Sequence, residues 1–309
     1  MKIVILGTGG TGGVLGAFLS RQGQDVTLIA RGEHLRMIRE KGLKVESATL
    51  GNVTIHPAGV CTTEEYDDTP DVIFVCFKYY SLKTAVEFVR RHAGKGTLVI
   101  PILNVFGTGA VMQEQLPDLT VLDGCIYVFA SKKAPGVISQ PQKILRVFYG
   151  YRPGQAHDLE AKARELESVM NEAGIETHFT PDIVRDAIEK FAFVSPMGAV
   201  CLYFDVKSEA FQQEGEVRAF FCQLIREVEA IGHAMGVGAY TKDLVAFGLK
   251  LIDSYPPGLT TSMQRDVAAG HVSEFSGLVD RVVTLGKQYG VAVPGYEKVS
   301  CWGREHDVK

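Results

Sequence analysis

The stretch 2-KIVILGTGGTG-12 constrains this chain more than any other. A short β-branched run stops at Gly7, and Gly9 and Gly12 follow at GxGxxG spacing, with Thr8 and Gly10 between them. Beyond the glycines, Val14, Leu15, Phe18 and Leu19 fall on one face of a helix. A glycine triplet between a strand and a helix has a physical reading. The first glycine makes a tight turn, the second lets backbone approach a pyrophosphate, and the third lets the helix pack close to the strand. The helix N-terminus then offers free N–H groups to an anion.

The pattern that follows extends this start. The runs 25-DVTLIA-30, 71-DVIFVCF-77, 97-TLVIPIL-103 and 144-ILRVFYG-150 read as strands, separated by amphipathic or charged segments. KVES and VTIHPAGV read as antiparallel or edge strands. The text 121-VLDGCIYVFASKKAPGVISQ-140 reads as strand, turn, strand, with the turn at Pro135-Gly136. Continuous apolar strands alternating with helices imply a mostly parallel sheet covered on both faces. After about residue 180 strand-like runs give way to helical ones at 181–204, 208–236, 240–252 and 272–289. The expected fold class is α/β, a Rossmann-like dinucleotide-binding domain over 1–180 followed by an all-helical substrate and catalytic domain over 181–309.

Composition narrows the partners. The formal net charge is -4, and no basic block or stripe occurs. Nucleic acid and anionic membranes are therefore not expected partners. No apolar stretch reaches the ~20 residues that span a bilayer. The six cysteines form no CxxC pair and there is no HExxH. Buried, reduced thiols in a cytoplasmic protein without a metal are the expectation. The amphipathic stretch 214–235 reads as domain core, and a homodimer is left open.

The end of the second strand discriminates between cofactors. An enzyme for NADH usually carries an acid there, about 20 residues after the glycines, to hold the ribose hydroxyls. This chain has Arg31, whose planar cation suits a 2′-phosphate, so NADPH is expected. Glu33 lies two residues on. Lys78, just past the strand 71–77, stands at a carboxyl end where ligands bind in such sheets. Each also reads as an ordinary surface cation.

Four polar residues invite a catalytic reading. Asn104 closes the run 100-IPILN-104, where an amide could orient nicotinamide or substrate with both a donor and an acceptor. Lys190 is the one lysine in the apolar run 183–198, flanking the face made by Ile183, Ala187 and Phe191. Thr180, Pro181 and Asp182 signal the start of its helix. Thr261 and Gln264 have capping-box spacing, which puts Ser262 in a first helical turn, where a carboxylate is welcome. Glu274 stands at the start of the next helix. On spacing alone, Lys190 could equally be a solvated lysine paired with Asp186, Ser262 a helix-start residue, and Glu274 a charge answering the helix dipole.

Taken together, the GTGGTG loop, the strand-end Asn104, Lys190 and 261-TSMQRDVAAGHVSEF-275 resemble the ketopantoate reductase (2-dehydropantoate 2-reductase) family over nearly the whole chain. The resemblance implies an NADP-binding domain before a helical domain, and hydride reduction of a 2-keto acid, the chemistry of pantothenate biosynthesis. It implies Lys190 as the catalytic lysine, with Ser262, Glu274, Asp266 and Asn104 binding substrate. It implies Gly7, Thr8, Gly9, Gly10, Gly12, Arg31, Lys78 and Asn104 as the cofactor site. The small-molecule 2-keto acid is then the expected partner. Two departures concern that substrate. Where the family often has asparagines four and eight residues after the lysine, this chain has Val194 and Gly198, and Val105 replaces a glycine after the strand-end asparagine. An apolar wall there would favour another branched 2-keto acid over a hydroxylated one. A non-catalytic NADPH-binding sensor is the alternative of a different class.

Overall fold

The computed structural model describes residues 1–309. The contacts divide the chain into two compact units: Met1–Leu103 with Gly107–Ile183, and Asn104–Phe106 with Val184–Lys309.

The first unit is built on a six-stranded sheet in which every neighbouring pair is parallel. Its strands are β1 (Lys2–Leu6), β2 (Asp25–Ile29), β5 (Gly59–Cys61), β6 (Val72–Val75), β7 (Leu98–Pro101) and β8 (Thr120–Val121), in the order β5-β2-β1-β6-β7-β8. Strand side chains alternate between faces. Ile3 and Ile5 join one core with α1 (Gly10–Arg21), α2 (Gly32–Lys41) and α5 (Glu160–Glu172). Val4 and Leu6 join the other with α3 (Leu82–His92) and α4 (Thr108–Gln115). Both faces are thus dry, which is why these strands read as unbroken apolar runs.

The expectation of one sheet was too simple. Two smaller sheets accompany the parallel one. In the first, β3 (Leu43–Ser47) pairs with β4 (Gly51–Ile55) and β11 (Val137–Gln140), and β11 with β10 (Ser131–Ala134). In the second, β12 (Leu145–Gly150) lies between β9 (Asp123–Val128) and β13 (Glu176–Phe179). Pattern alone did not find α5 or β13. The apolar face of α5, made by Ala163, Leu166 and Met170, is narrow in a segment dense in charge.

The second unit is helical: α6 (Ile183–Tyr203), α7 (Glu216–Ala234), α8 (Leu244–Asp253), α9 (Ser262–Ala268), α10 (Arg281–Tyr289) and α11 (Pro294–Glu305). Ile183, Ile188, Phe191, Ala192, Ala199, Val200 and Cys201 on α6 are all nearly inaccessible. A helix apolar on this much of its circumference is a central one. Three details differ from the sequence reading. The helix expected over 208–236 is a 3-10 turn at Ser208–Phe211 followed by α7, which starts only at Glu216. The helix expected over 272–289 opens with a π-helical segment at Ser276–Asp280. A further helix, α11, closes the chain, and Cys301 on it is exposed where a buried thiol was expected. No helix is long and apolar enough to cross a membrane.

Candidate active site

In the first unit the glycine loop can be read atom by atom. Gly7 has φ +111°, where L side chains are strained, and a Cβ there would stand 2.6 Å from Phe77. A Cβ at Gly12 would stand 2.1 Å from the Gly7 carbonyl oxygen and 2.8 Å from Ile5, so the helix touches the turn that precedes it. A Cβ at Gly10 would meet the Ala130 carbonyl oxygen at 2.6 Å. At Gly9, the N-cap of α1, nothing lies within 4 Å. Three glycines are needed for packing, therefore, and one leaves open space at a helix N-terminus with no acid in its first turn. That arrangement admits the backbone approach of a pyrophosphate.

Neighbouring side chains fix the loop. The Thr8 hydroxyl donates to the Ile29 carbonyl at 2.9 Å, and its amide to the same oxygen at 3.1 Å. Thr8 is buried, so its hydroxyl is a strap between loop and β2. His34 in α2 is also buried, and both its ring nitrogens are engaged. Nδ1 accepts from the Gly136 amide at 2.8 Å, which leaves Nε2 as the protonated nitrogen that donates to the Thr8 carbonyl at 2.7 Å. Burial first, and then the positive charge of Lys132, push the His34 pKa down against the raising effect of the Thr8 carbonyl. Sequence reasoning did not single out His34 or Ala130. Their contacts join residues far apart in the chain, and no local spacing signals them.

Arg31 is the exposed N-cap of α2, directly after β2. Glu33, the nearby acid, is bound to Arg36, whose Nε donates to it at 2.9 Å. Lys78 is half-buried at the N-cap of the 3-10 turn Tyr79–Ser81 that follows β6.

In the second unit the buried polar groups of α6 each meet a different element. Lys190 is 6% exposed, and its ammonium donates to Asn104 Oδ1 at 2.8 Å across 86 residues of sequence. The Phe106 and Phe191 rings, 5.9 Å apart, pack the asparagine segment against the same stretch of helix. Glu189 accepts from the Thr241 amide and hydroxyl and pairs with Lys242 at 2.8 Å. Burial alone would raise its carboxyl pKa, but these donors hold it below the usual range. Ser195 donates to the Leu278 carbonyl in the π segment and meets the Tyr296 hydroxyl, both at 2.6 Å. Since the serine proton is used on Leu278, Tyr296 is the donor to Ser195. Pro196 follows, and the helix continues through it.

The remaining candidates surround α6. The capping box of Thr261 and Gln264 is present, and Ser262 opens α9 half-buried. Asp266 lies one turn on in α9, and its carbonyl accepts from the His271 amide at 2.9 Å. Glu274 is 3% exposed and stands just before the π segment, its carbonyl accepting from Leu278 at 2.8 Å. A Cβ at Gly198 would be 3.2 Å from the Met263 methyl and 3.7 Å from Leu278, so α9 and the π segment both reach α6 there. Val105 is buried and Val194 half-buried. The structure thus brings Asn104 directly to Lys190. It leaves Ser262, Asp266 and Glu274 on two segments that pack against the Lys190 helix.

A partly desolvated ammonium held by an amide can stabilise negative charge developing on a carbonyl oxygen and deliver a proton to it. Known proteins resemble this chain over nearly its whole length. Residues 3–154 match the family described as "Ketopantoate reductase PanE/ApbA", and 182–300 match its C-terminal part. A 2-dehydropantoate 2-reductase of Pyrococcus abyssi is 26% identical, over 98% of this chain and 96% of its own. A crystal structure of 2-dehydropantoate 2-reductase from Porphyromonas gingivalis is 28% identical, with TM-score 0.78 and 97% of each chain covered. A ternary structure of D-mandelate dehydrogenase with NADH and anilino(oxo)acetate shares the fold at TM-score 0.86 and 22% identity, covering 97% of this chain and 96% of the other. On these matches, which take in both units, the chain belongs to the ketopantoate reductase family of oxidoreductases.

Proposed function

We propose that this protein reduces 2-dehydropantoate to pantoate with NADPH, a step of pantothenate biosynthesis. The observation that carries the reading is the part-buried hydrogen bond from Lys190 to Asn104, which fixes the ammonium of a lysine on the central helix and supports its use as the proton donor. The GTGGTG loop fits a dinucleotide because Gly9 is open while its neighbours are packed. Arg31 and Lys78 would add positive charge for its phosphates. Arg31 in place of an acid after β2, with Glu33 engaged by Arg36, supports NADPH over NADH. When bound, the nicotinamide supplies the hydride to the keto carbon.

The chain's own residues do the rest of the work. The Lys190 ammonium stabilises charge on the substrate's carbonyl oxygen and gives it the proton. Asn104 accepts from Lys190 and so aims the ammonium. Its amide nitrogen is the donor it would offer to substrate or nicotinamide. Ser262, in the first turn of α9, would hold the substrate carboxylate, with Asp266 one turn behind. Glu274 would accept from the substrate hydroxyl.

One observation favours a second substrate. The Lys190 face of α6 continues through Val194 and Gly198, and the Met263 methyl covers Gly198. Such a wall suits an aliphatic side chain without a hydroxyl. NADPH oxidation by the purified protein, with 2-dehydropantoate, with 2-ketoisovalerate and without substrate, tests both readings. Fast turnover with 2-dehydropantoate is expected. Turnover confined to 2-ketoisovalerate would replace the substrate, and none with either would overturn the reading.

A further inference from the structure

The hairpin β10–β11 is fastened to the dinucleotide loop at two points. At its start, the Ala130 carbonyl oxygen and the Ser131 amide lie against Gly10, 2.6 and 2.8 Å from where a Cβ would be. At its turn, the Gly136 amide donates to His34 of α2, and a Cβ at Gly136 would touch Met37. Lys132 stands between these points, opposite Ile138 in the antiparallel register. Residues opposite one another in such a pair rise from the same face of the sheet. Ile138 packs on α1, its Cγ1 2.7 Å from where a Cβ on Gly13 would be. Lys132 therefore rises from the face that covers α1, on a strand held beside the start of α1 and the start of α2.

The ion pairs of this corner single out two cations. Arg36 is bound to Glu33 and Glu40, and Lys44 and Lys133 share Glu46. Arg31 and Lys132 take part in none of these pairs, and both are exposed. Arg31 lies one helical turn before His34, the residue that carries the hairpin turn. Two cations without carboxylates beside the start of α2, where Arg36, Lys44 and Lys133 each have one, suit an anion brought by a ligand.

We propose that Lys132 is a second cationic partner of the cofactor's adenosine 2′-phosphate, acting beside Arg31 from the β10–β11 hairpin. This rests on the NADPH reading above. It makes the hairpin part of the cofactor-selecting site, with His34 as the residue that positions it.

Fluorescence titration with NADPH and with NADH tests the assignment on the wild type, Lys132→Gln, Lys132→Arg, Lys133→Gln and Arg31→Ala. Lys132→Gln is expected to weaken NADPH roughly tenfold and leave NADH unchanged, with the loss shrinking as salt rises. Lys132→Arg should restore most of the affinity. Lys133→Gln, which removes a lysine already held by Glu46, should change neither cofactor. A wild type that prefers NADPH and loses that preference in Arg31→Ala but not in Lys132→Gln would overturn the role of Lys132 alone. Equal weakening of both cofactors by Lys132→Gln would also overturn it. A wild type that binds NADH as well as NADPH would overturn it together with the NADPH reading.

Discussion

The glycine loop and the Lys190 helix are two ways of building a site. The loop is made of backbone. Its geometry is set by residues a few positions apart, and its chemistry is carried by N–H groups and open space at Gly9. The Lys190 site is made of side chains. Its two central groups come from positions 86 residues apart, and an aromatic contact between Phe106 and Phe191 keeps them together. The first kind of site tolerates change in most side chains and almost none in its glycines. The second depends on single atoms at the tips of long side chains. A substitution should therefore act differently in the two regions, on affinity in one and on turnover in the other.

The largest effect is expected at Lys190. Lys190→Ala removes the group proposed to donate the proton, and steady-state kinetics should show kcat lower by roughly 10²–10⁴-fold. Dinucleotide affinity should stay close to that of the wild type, since the loop lies in the other unit. A variant that keeps its turnover would show that the proton comes from elsewhere, and the side-chain account of this site would fall. Asn104 would then be left as a group that merely satisfies a buried ammonium.

Next in size are two glycine variants that separate packing from binding within the loop. Gly12→Ala forces a methyl against the Gly7 carbonyl and Ile5, so it should cost about 1–3 kcal/mol of stability and abolish dinucleotide binding. Gly9→Ala meets no atom within 4 Å, and φ -80° at that position suits alanine. Its melting temperature should match the wild type while the dinucleotide is lost, because the methyl fills the space a pyrophosphate would use. Normal binding by Gly9→Ala would mean that the open side of the loop is not where the ligand lies.

The same contrast explains what could be read in advance. The loop was legible because its logic is local: a strand, three spaced glycines and an amphipathic helix, in that order. The central helix was legible as a helix from its apolar run, and the capping box at Thr261 and Gln264 from its spacing. The use of Lys190 was not legible that way. A lysine flanking an apolar face has the same pattern whether it meets water, Asp186 or Asn104, and only family resemblance favoured one outcome. All the strands of the two extra sheets except β13 were read, β10 and β11 as the hairpin turning at Pro135-Gly136, but their separation from the parallel sheet was not. Which strands pair is set by contacts distant in sequence, such as β11 with β3 and β12 with β9 and β13, and local alternation does not reveal it. The π segment after Glu274 replaces regular helix with i→i+5 bonding, a deviation that residue periodicity does not reveal.

His34 tests whether the backbone site is as independent of side-chain chemistry as this comparison suggests. Its two hydrogen bonds require the neutral ring. A proton on Nδ1 would face the Gly136 amide, donor against donor, and release the hairpin from α2. The folded protein depresses the His34 pKa below 6.5, with burial as the main cause and Lys132 adding to it. Of the other charges on these elements, Glu33 is paired with Arg36, and Lys133 and Lys44 with Glu46. A group whose folded pKa lies below its unfolded value takes up its proton first in the unfolded chain. Its contribution is thus complete above about pH 6.5 and is lost as pH falls from there toward the folded value. Thermal melts between pH 8 and pH 5 should show the wild type losing stability through that window. His34→Gln, which keeps one donor and one acceptor without a titrating ring, should lose less. The difference is the smallest of the three effects, a few degrees of Tm at most, with dinucleotide affinity falling in parallel in the wild type. Identical pH profiles for the two proteins would mean that the histidine only fills space, and that the loop holds its shape through glycine packing alone.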